Sequence, residues 1–220
     1  MIRRESAQAK KDRFHKVYEH LEVLYPETET ALEYSNEFEL LTAVILSAQC
    51  TDARVNIVMK EFRPRFPTPE VLAKAELEDI EEVIRPTGFF HQKAKSLKSM
   101  ATDLVTKFDG KVPQTMEDLI TLRGVGRKTA NVVLGNAFDI TEGIAVDTHV
   151  TRLANRLNFT KHTDPKQIET DLMALAPKEH WTNLTHLLIF HGRAICKARK
   201  PRCPDCAIAD YCPSRNLYYK

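Results

Sequence analysis

The sequence predicts an all-α fold, and three observations carry that prediction. Its 220 residues include only seven glycines, and its eleven prolines fall between periodic segments rather than inside them. Apolar residues recur at helical spacing, whereas alternation with period two is hard to find anywhere. Helix-start signals, a capping side chain followed by proline or an acid, return along the chain.

Taken in order, the first element is marked by Phe14, Val17, Leu21 and Leu24, which share one helical face. Phe38 to Ala48 is apolar almost all round, the pattern of a nearly wholly buried helix. Thr68-Pro69 sets a capping hydroxyl before a proline at the first helical position and opens a helix over Pro69 to Ala75. Lys95 to Phe108 is helical and stops at Gly110. Thr115 followed by Asp118 resembles a capping box ahead of Leu119, Ile120 and Leu122. Asp147 precedes a helix over Thr148 to Leu157, and Asp164-Pro165 opens another through Met173. Trp181 to Ile195 is the last apolar-faced helix, bringing the expected total to about ten. From Cys196 the character changes: cysteines, prolines and basic residues replace the periodicity.

With 43% hydrophobic residues the chain can bury a core, as one domain or two small ones, and 28% charged residues argue against disorder. No low-complexity linker or tandem repeat is present, so two sub-domains would be packed rather than tethered. A formal net charge of +2 says nothing for or against nucleic acid, so such an argument must rest on where basic residues sit. The longest apolar stretch, Leu40 to Ala48, is too short to span a membrane. The basic start, MIRRESAQAKKDRF, has no apolar core behind it and contains Glu5 and Asp12, unlike a secretory or transit signal. A cytoplasmic, nucleoid-associated protein is the default expectation.

Between two helical patterns lies Leu122-Arg123-Gly124-Val125-Gly126-Arg127-Lys128-Thr129-Ala130. Two glycines around one apolar residue permit a sharp turn and a close backbone approach, and the following helix offers free N–H groups to a phosphate. The segment reads equally as a packing hairpin between core helices or as a grip on one DNA backbone. Lys128 stands in the first turn of that second helix, where the dipole disfavours a cation and favours the neutral amine that a nucleophile needs. Its ordinary reading is a solvated surface lysine.

Asp147 ends the apolar run Ile144-Ala145-Val146, and its simplest role is that of an N-cap. Cys196, Cys203, Cys206 and Cys212 have the spacing C-x6-C-x2-C-x5-C. With no secretion signal, that spacing argues for a metal rather than disulfides, and four thiolates suit either zinc or an iron–sulfur cluster. Lys197, Arg199, Lys200 and Arg202 crowd the first interval, either as a solvated charge run or as phosphate contacts.

Leu-x-Gly-Val-Gly-x-Lys-Thr-Ala-Asn, with the downstream Val-Asp-Thr-His and the four-cysteine loop, resembles the endonuclease III branch of the helix–hairpin–helix DNA glycosylases. The resemblance runs from about Leu21 to Cys212. It implies a six-helix barrel domain carrying the hairpin over residues 30–140. An iron–sulfur domain would be formed by 1–29 and 141–220, with a cleft between the two. It assigns Lys128 to attack on the sugar and Asp147 to assist. Gln49, in Ser-Ala-Gln-Cys-Thr-Asp, would fill the space left by the flipped nucleotide, and Phe89, in Thr-Gly-Phe-Phe, would wedge into the stack. Gly124, Val125, Gly126, Arg127 and His149 would meet the DNA with the basic loop, and the four cysteines would hold a 4Fe–4S cluster. Arg123 stands where many relatives have proline, which alters hairpin stiffness. The implied substrate is double-stranded DNA carrying oxidised pyrimidines or abasic sites, bound by a monomer and nicked by β-elimination. Two alternatives remain at this point: an adenine-mismatch glycosylase of the same fold, and a non-catalytic DNA-binding module with a zinc-stabilised tail.

Overall fold

Capping side chains start seven helices, each accepting a hydrogen bond from a first-turn N–H: Ser6, Asn36, Thr51, Thr68, Thr115, Asp147 and Asp164. The computed structural model describes residues 5–26 and 30–218; the first four residues of the basic N-terminal segment, residues 27–29 and residues 219–220 lie outside that description. Among the described residues there are twelve α-helices and no strand. They are α1 (Ala7–Leu24), α2 (Glu37–Leu46), α3 (Asp52–Arg65), α4 (Pro69–Lys74), α5 (Leu77–Ile84), α6 (Phe90–Lys107), α7 (Met116–Leu119), α8 (Arg127–Ala137), α9 (Thr148–Arg156), α10 (Pro165–Leu175), α11 (Trp181–Ala194) and α12 (Arg215–Tyr218). No described helix is long and apolar enough to cross a membrane.

Several expected boundaries move. The buried helix ends at Leu46, leaving Ala48 exposed, because Ser47 folds back to donate to the Val44 carbonyl at 2.8 Å. Helix α6 begins at Phe90, a turn before the expected Lys95, because it grows directly out of a left-handed turn at Phe89. It does stop at Gly110, whose φ of +73° lets its N–H reach the Leu104 carbonyl at 2.9 Å. Leu24 is half-exposed rather than on the buried face, which is completed by Tyr18.

The chain divides into two compact units, Thr30–Glu142 on one hand and Met1–Glu29 with Gly143–Lys220 on the other. Each unit has its own core. In the first, α2 is buried from Leu40 to Leu46 and takes α3, α6 and α8 around it, while α4 and α5 pack on α6. A helix apolar on every side belongs at the centre of a bundle, and each fully buried leucine there contributes about 1.5–3 kcal/mol. In the second, α9 packs on α11 and α10, and α1 closes against α11 and α10. Phe14 of α1 meets Phe159 edge-on at 5.2 Å between centroids.

Candidate active site

The hairpin belongs to the unit Thr30–Glu142 and is built by α7, the turn at residues 120–126, and α8. Leu122 and Val125 are buried and anchor the turn, and the Val125 N–H donates to the Leu122 carbonyl at 3.1 Å. Gly124 lies at φ +89°, and a Cβ there would come within 3.0 Å of the Ser96 Cβ. Glycine is therefore needed twice over, for its conformation and for the close approach of the turn to α6. Gly126 is the N-cap of α8, has no capping side chain, and faces open space where a Cβ would point. The first-turn N–H groups of α8 are thus left without a side-chain cap. Lys128 is exposed on that turn, and among the described residues no carboxylate forms an ion pair with it.

Two further loops of the same unit present exposed side chains. Gln49 follows the end of α2 and sits at φ +54°; Phe89 precedes α6 at φ +50°. Phe89 is 66% exposed, whereas Phe90 packs against the core. Both residues occupy the left-handed region, which costs a non-glycine residue about 1–3 kcal/mol and persists only where the surroundings over-determine it.

In the other unit, Asp147 is the N-cap of α9. Its Oδ1 accepts from the N–H groups of His149 and Val150, both at 2.8 Å. The capping expectation is met through one oxygen, leaving Oδ2 for other work. His149 Nδ1 accepts from Arg152 Nη2 at 3.1 Å, since a guanidinium only donates; a proton on this ring, when it is neutral, is therefore on Nε2.

The cysteine tail packs against α9 and α11. Cys196, Cys203, Cys206 and Cys212 line one cavity together with Leu153, His191 and Ile208. Burial pushes the Cys206 thiol up to about 11, and the three neighbouring cysteines push it further in the same direction. Cys212 is raised for the same reasons. Thiols buried and crowded like those of Cys206 and Cys212 resist ionising unless a cation compensates them. Among the described residues, no three His, Cys, Asp or Glu side chains converge as ligands of a single metal ion.

Three residues that the sequence reading passed over organise this tail. Arg156 donates to Cys196 Sγ at 3.2 Å, to the Lys197 carbonyl at 2.8 Å and to the Ala198 carbonyl at 3.0 Å. Arg152 donates to the Cys196 carbonyl at 3.1 Å and the Gly192 carbonyl at 3.0 Å. His191, fully buried, sits between Tyr25 Oη at 3.1 Å and Cys206 Sγ at 3.3 Å, and burial lowers its pKa to about 4. The available signal was two arginines four apart on the helix after Asp147; nothing in the sequence marked His191.

The basic loop is not uniform. Arg202 is committed to Asp205 through Nε and Nη2, both at 2.8 Å, so its charge is largely compensated. Lys197, Arg199 and Lys200 are exposed, and none has a carboxylate partner among the described residues.

The pattern of the HhH-GPD superfamily base excision DNA repair proteins matches residues 42–178. Endonuclease III of Synechocystis sp. is 50% identical over 206 residues, covering 94% of each chain. A solved non-covalent endonuclease III–DNA complex superimposes with a TM-score of 0.90 at 40% identity, covering 94% of this chain and 97% of that one. A trapped endonuclease III–DNA covalent intermediate, an estranged-adenine complex, gives 0.91 at 39% identity over 96% and 99%. With its glycine hairpin, its Asp147-capped helix and its four-cysteine tail, the chain belongs to the endonuclease III family within the HhH-GPD superfamily of base excision DNA repair proteins.

Proposed function

We propose that this protein is a bifunctional DNA glycosylase and abasic-site lyase that removes oxidised pyrimidines from double-stranded DNA. The observation that carries the reading is Lys128: exposed, without a carboxylate partner, on the open first turn of α8 behind the Gly124–Gly126 turn. Its neutral amine attacks C1′ of the damaged nucleotide, the C1′–N bond breaks, and the base departs with the bonding electrons and takes up a proton. Ring opening leaves a Schiff base between Lys128 and the sugar. Loss of a C2′ proton then expels the 3′ phosphate and nicks the strand, and water releases the lysine. Asp147, with Oδ2 not used in capping, supports the developing charge on the sugar or takes a proton. The covalent intermediate solved for a relative at 39% identity supports this sequence of steps.

In this reading residues 30–140 form the six-helix barrel domain, and 1–29 with 141–220 form the iron–sulfur domain. The uncapped N–H groups behind Gly126 and the exposed Lys197, Arg199 and Lys200 hold the phosphate backbone. Gln49 and Phe89 occupy and wedge the disturbed stack, and Arg127 and His149 contribute further contacts. The substrate belongs to the nucleoid, where the protein acts as a monomer.

Cys196, Cys203, Cys206 and Cys212 would hold a 4Fe–4S cluster. Their shared cavity and the raised thiol pKa values of Cys206 and Cys212 fit a cationic centre. When bound, the cluster cross-links four points of the tail and supplies its folding free energy.

The decisive experiment is reduction with borohydride during turnover on a duplex with a single oxidised pyrimidine. Wild-type protein forms a covalent protein–DNA adduct, and Lys128→Gln forms none while still binding DNA. Full excision by Lys128→Gln would overturn the mechanism. Iron and acid-labile sulfide assays on the purified protein test the cluster; zinc without iron would refute it.

A further inference from the structure

Lys93 is a buried charge that the chemistry above leaves unused. It lies on the first turn of α6 and is 5% exposed. Its Nζ donates to the Leu46 carbonyl at 2.8 Å and to the Thr87 carbonyl at 2.9 Å. Among the described residues no carboxylate pairs with it. Burial holds its pKa below the usual lysine range, so the fold bears a desolvated ammonium where an apolar residue would pack at lower cost.

The two acceptors explain what the charge does. Leu46 is the last residue of α2, and Thr87 is the last residue of the short 3-10 turn Arg85–Thr87. Both carbonyls are helix-end acceptors without an onward helical partner, at the ends where a cation is favoured. Gln49 comes three residues after the first and Phe89 two residues after the second, each exposed and each in the left-handed region. The Lys93 backbone N–H also donates to the Phe89 carbonyl at 3.1 Å. One residue therefore fixes the start of both loops, and among the described residues no other side-chain hydrogen bond joins them.

We propose that Lys93 is a positioning residue for DNA distortion, its ammonium holding the Gln49 and Phe89 loops in fixed register so that both side chains enter the opened duplex together. This rests on the reading that Gln49 and Phe89 engage DNA. An amide with donors and an acceptor meets the base left behind, while an apolar ring separates the neighbouring step, and both depend on backbone placement. A misplacement of about 1 Å in such a pair costs about a hundred-fold in rate.

The test uses full-length protein and a duplex with one oxidised pyrimidine beside 2-aminopurine, whose emission rises on unstacking. Lys93→Met keeps the length of the side chain and removes the donors. The expected result is near-normal DNA affinity, loss of the fluorescence rise, and excision slower by about ten- to a hundred-fold. A Gln49→Ala, Phe89→Ala pair should show the same defect, and adding Lys93→Met to it should cost nothing more. If the triple variant loses the product of the two effects, or Lys93→Met keeps the fluorescence rise, Lys93 does not act through these loops. If the Gln49, Phe89 pair keeps wild-type excision, the underlying reading of those two residues fails and the proposal with it. Lys93→Gln, with a shorter donor, carries the same comparison should Lys93→Met not fold, and is expected to restore part of the fluorescence rise.

Discussion

Asp147 and Arg156 stand at opposite ends of the nine-residue helix α9, and each serves a different part of the same unit. Asp147 receives the first-turn N–H groups at one end. At the other, Arg156 donates to Cys196 Sγ while its own carbonyl accepts from Cys212 Sγ at 3.7 Å. Acid at the N-terminus and base at the C-terminus both favour the helix dipole. The placement of Asp147 and the anchoring of the cysteine loop are thus properties of one short rod.

Arg156→Met should loosen the loop without removing a cysteine. Several charge-assisted bonds are lost, to Cys196 Sγ and to the carbonyls of residues 197–198, a cost of about 1–3 kcal/mol. With the proposed cluster in place, iron released to a chelator over time is the measurement, and it should be several-fold faster than in wild type. Arg156→Lys should resemble Met, because an ammonium lacks the planar fork. Unchanged release would mean that the loop is held by its own turns.

Substitution separates the capping by Asp147 from its proposed catalytic role. Asp147→Asn retains an oxygen for the two N–H groups, so thermal stability should stay near wild type, whereas Asp147→Ala loses the cap and about 0.5–2 kcal/mol. Both should slow base release by about a hundred-fold or more, as expected for a lost catalytic group. Wild-type turnover in the asparagine variant would reduce Asp147 to a cap.

Gly192 is a matter of space. A Cβ there would stand 2.9 Å from both Arg152 Nη2 and His149 Nδ1, and 3.2 Å from Leu153 Cδ1. The arginine tip is ordinarily free to move, but this one is tied to the Gly192 and Cys196 carbonyls. Gly192→Ala should therefore cost about 1–3 kcal/mol by overpacking, visible in thermal denaturation. Stability equal to wild type would show that Arg152 can move at no cost.

Salt dependence should distinguish the charges of the cysteine loop. Each phosphate neutralised contributes about −0.9 to the slope of log affinity against log salt. Replacing Lys197, Arg199 and Lys200 with alanine should flatten that slope and weaken damaged and undamaged duplexes alike. Arg202→Ala should change it much less, since Asp205 already compensates that charge. Equal effects from Arg202 and Lys200 would show that the Asp205 pair opens on DNA.

The legible parts of the fold were those with local causes. Thr68-Pro69, Asp164-Pro165 and Asp147 announced helices because capping is settled within four residues, and Gly110 announced a stop for the same reason. The start of α6 was missed because Phe89 replaces a capping side chain with a left-handed backbone, a conformation that no residue type there demands. The cysteines and Lys128 stood out by spacing and motif. Lys93, His191 and the Arg152–Arg156 pair did not, since each earns its place through partners 6 to 166 residues away. The pairing of Arg202 was also hidden, although Asp205 lies only three positions on, because both readings of a charge run look alike before the loop is folded.

The two cores differ in how the chain reaches them. The core of Thr30–Glu142 is contiguous, so it can close as soon as its last helix leaves the ribosome. Phe14, Val17, Tyr18 and Leu21 belong to a core whose remaining buried members begin at Ile144. Helix α1 must therefore wait for a partner until more than half of the protein has been synthesised. Its apolar face is exposed through that interval, and closing so long a loop adds an entropic cost that a folded intervening unit reduces. Order of synthesis thus favours the hairpin-bearing unit folding first, before α1 finds α10 and α11. A truncation after Glu142 should leave a folded unit trailing an unstructured N-terminal segment, while any lesion that delays the first core also delays the second.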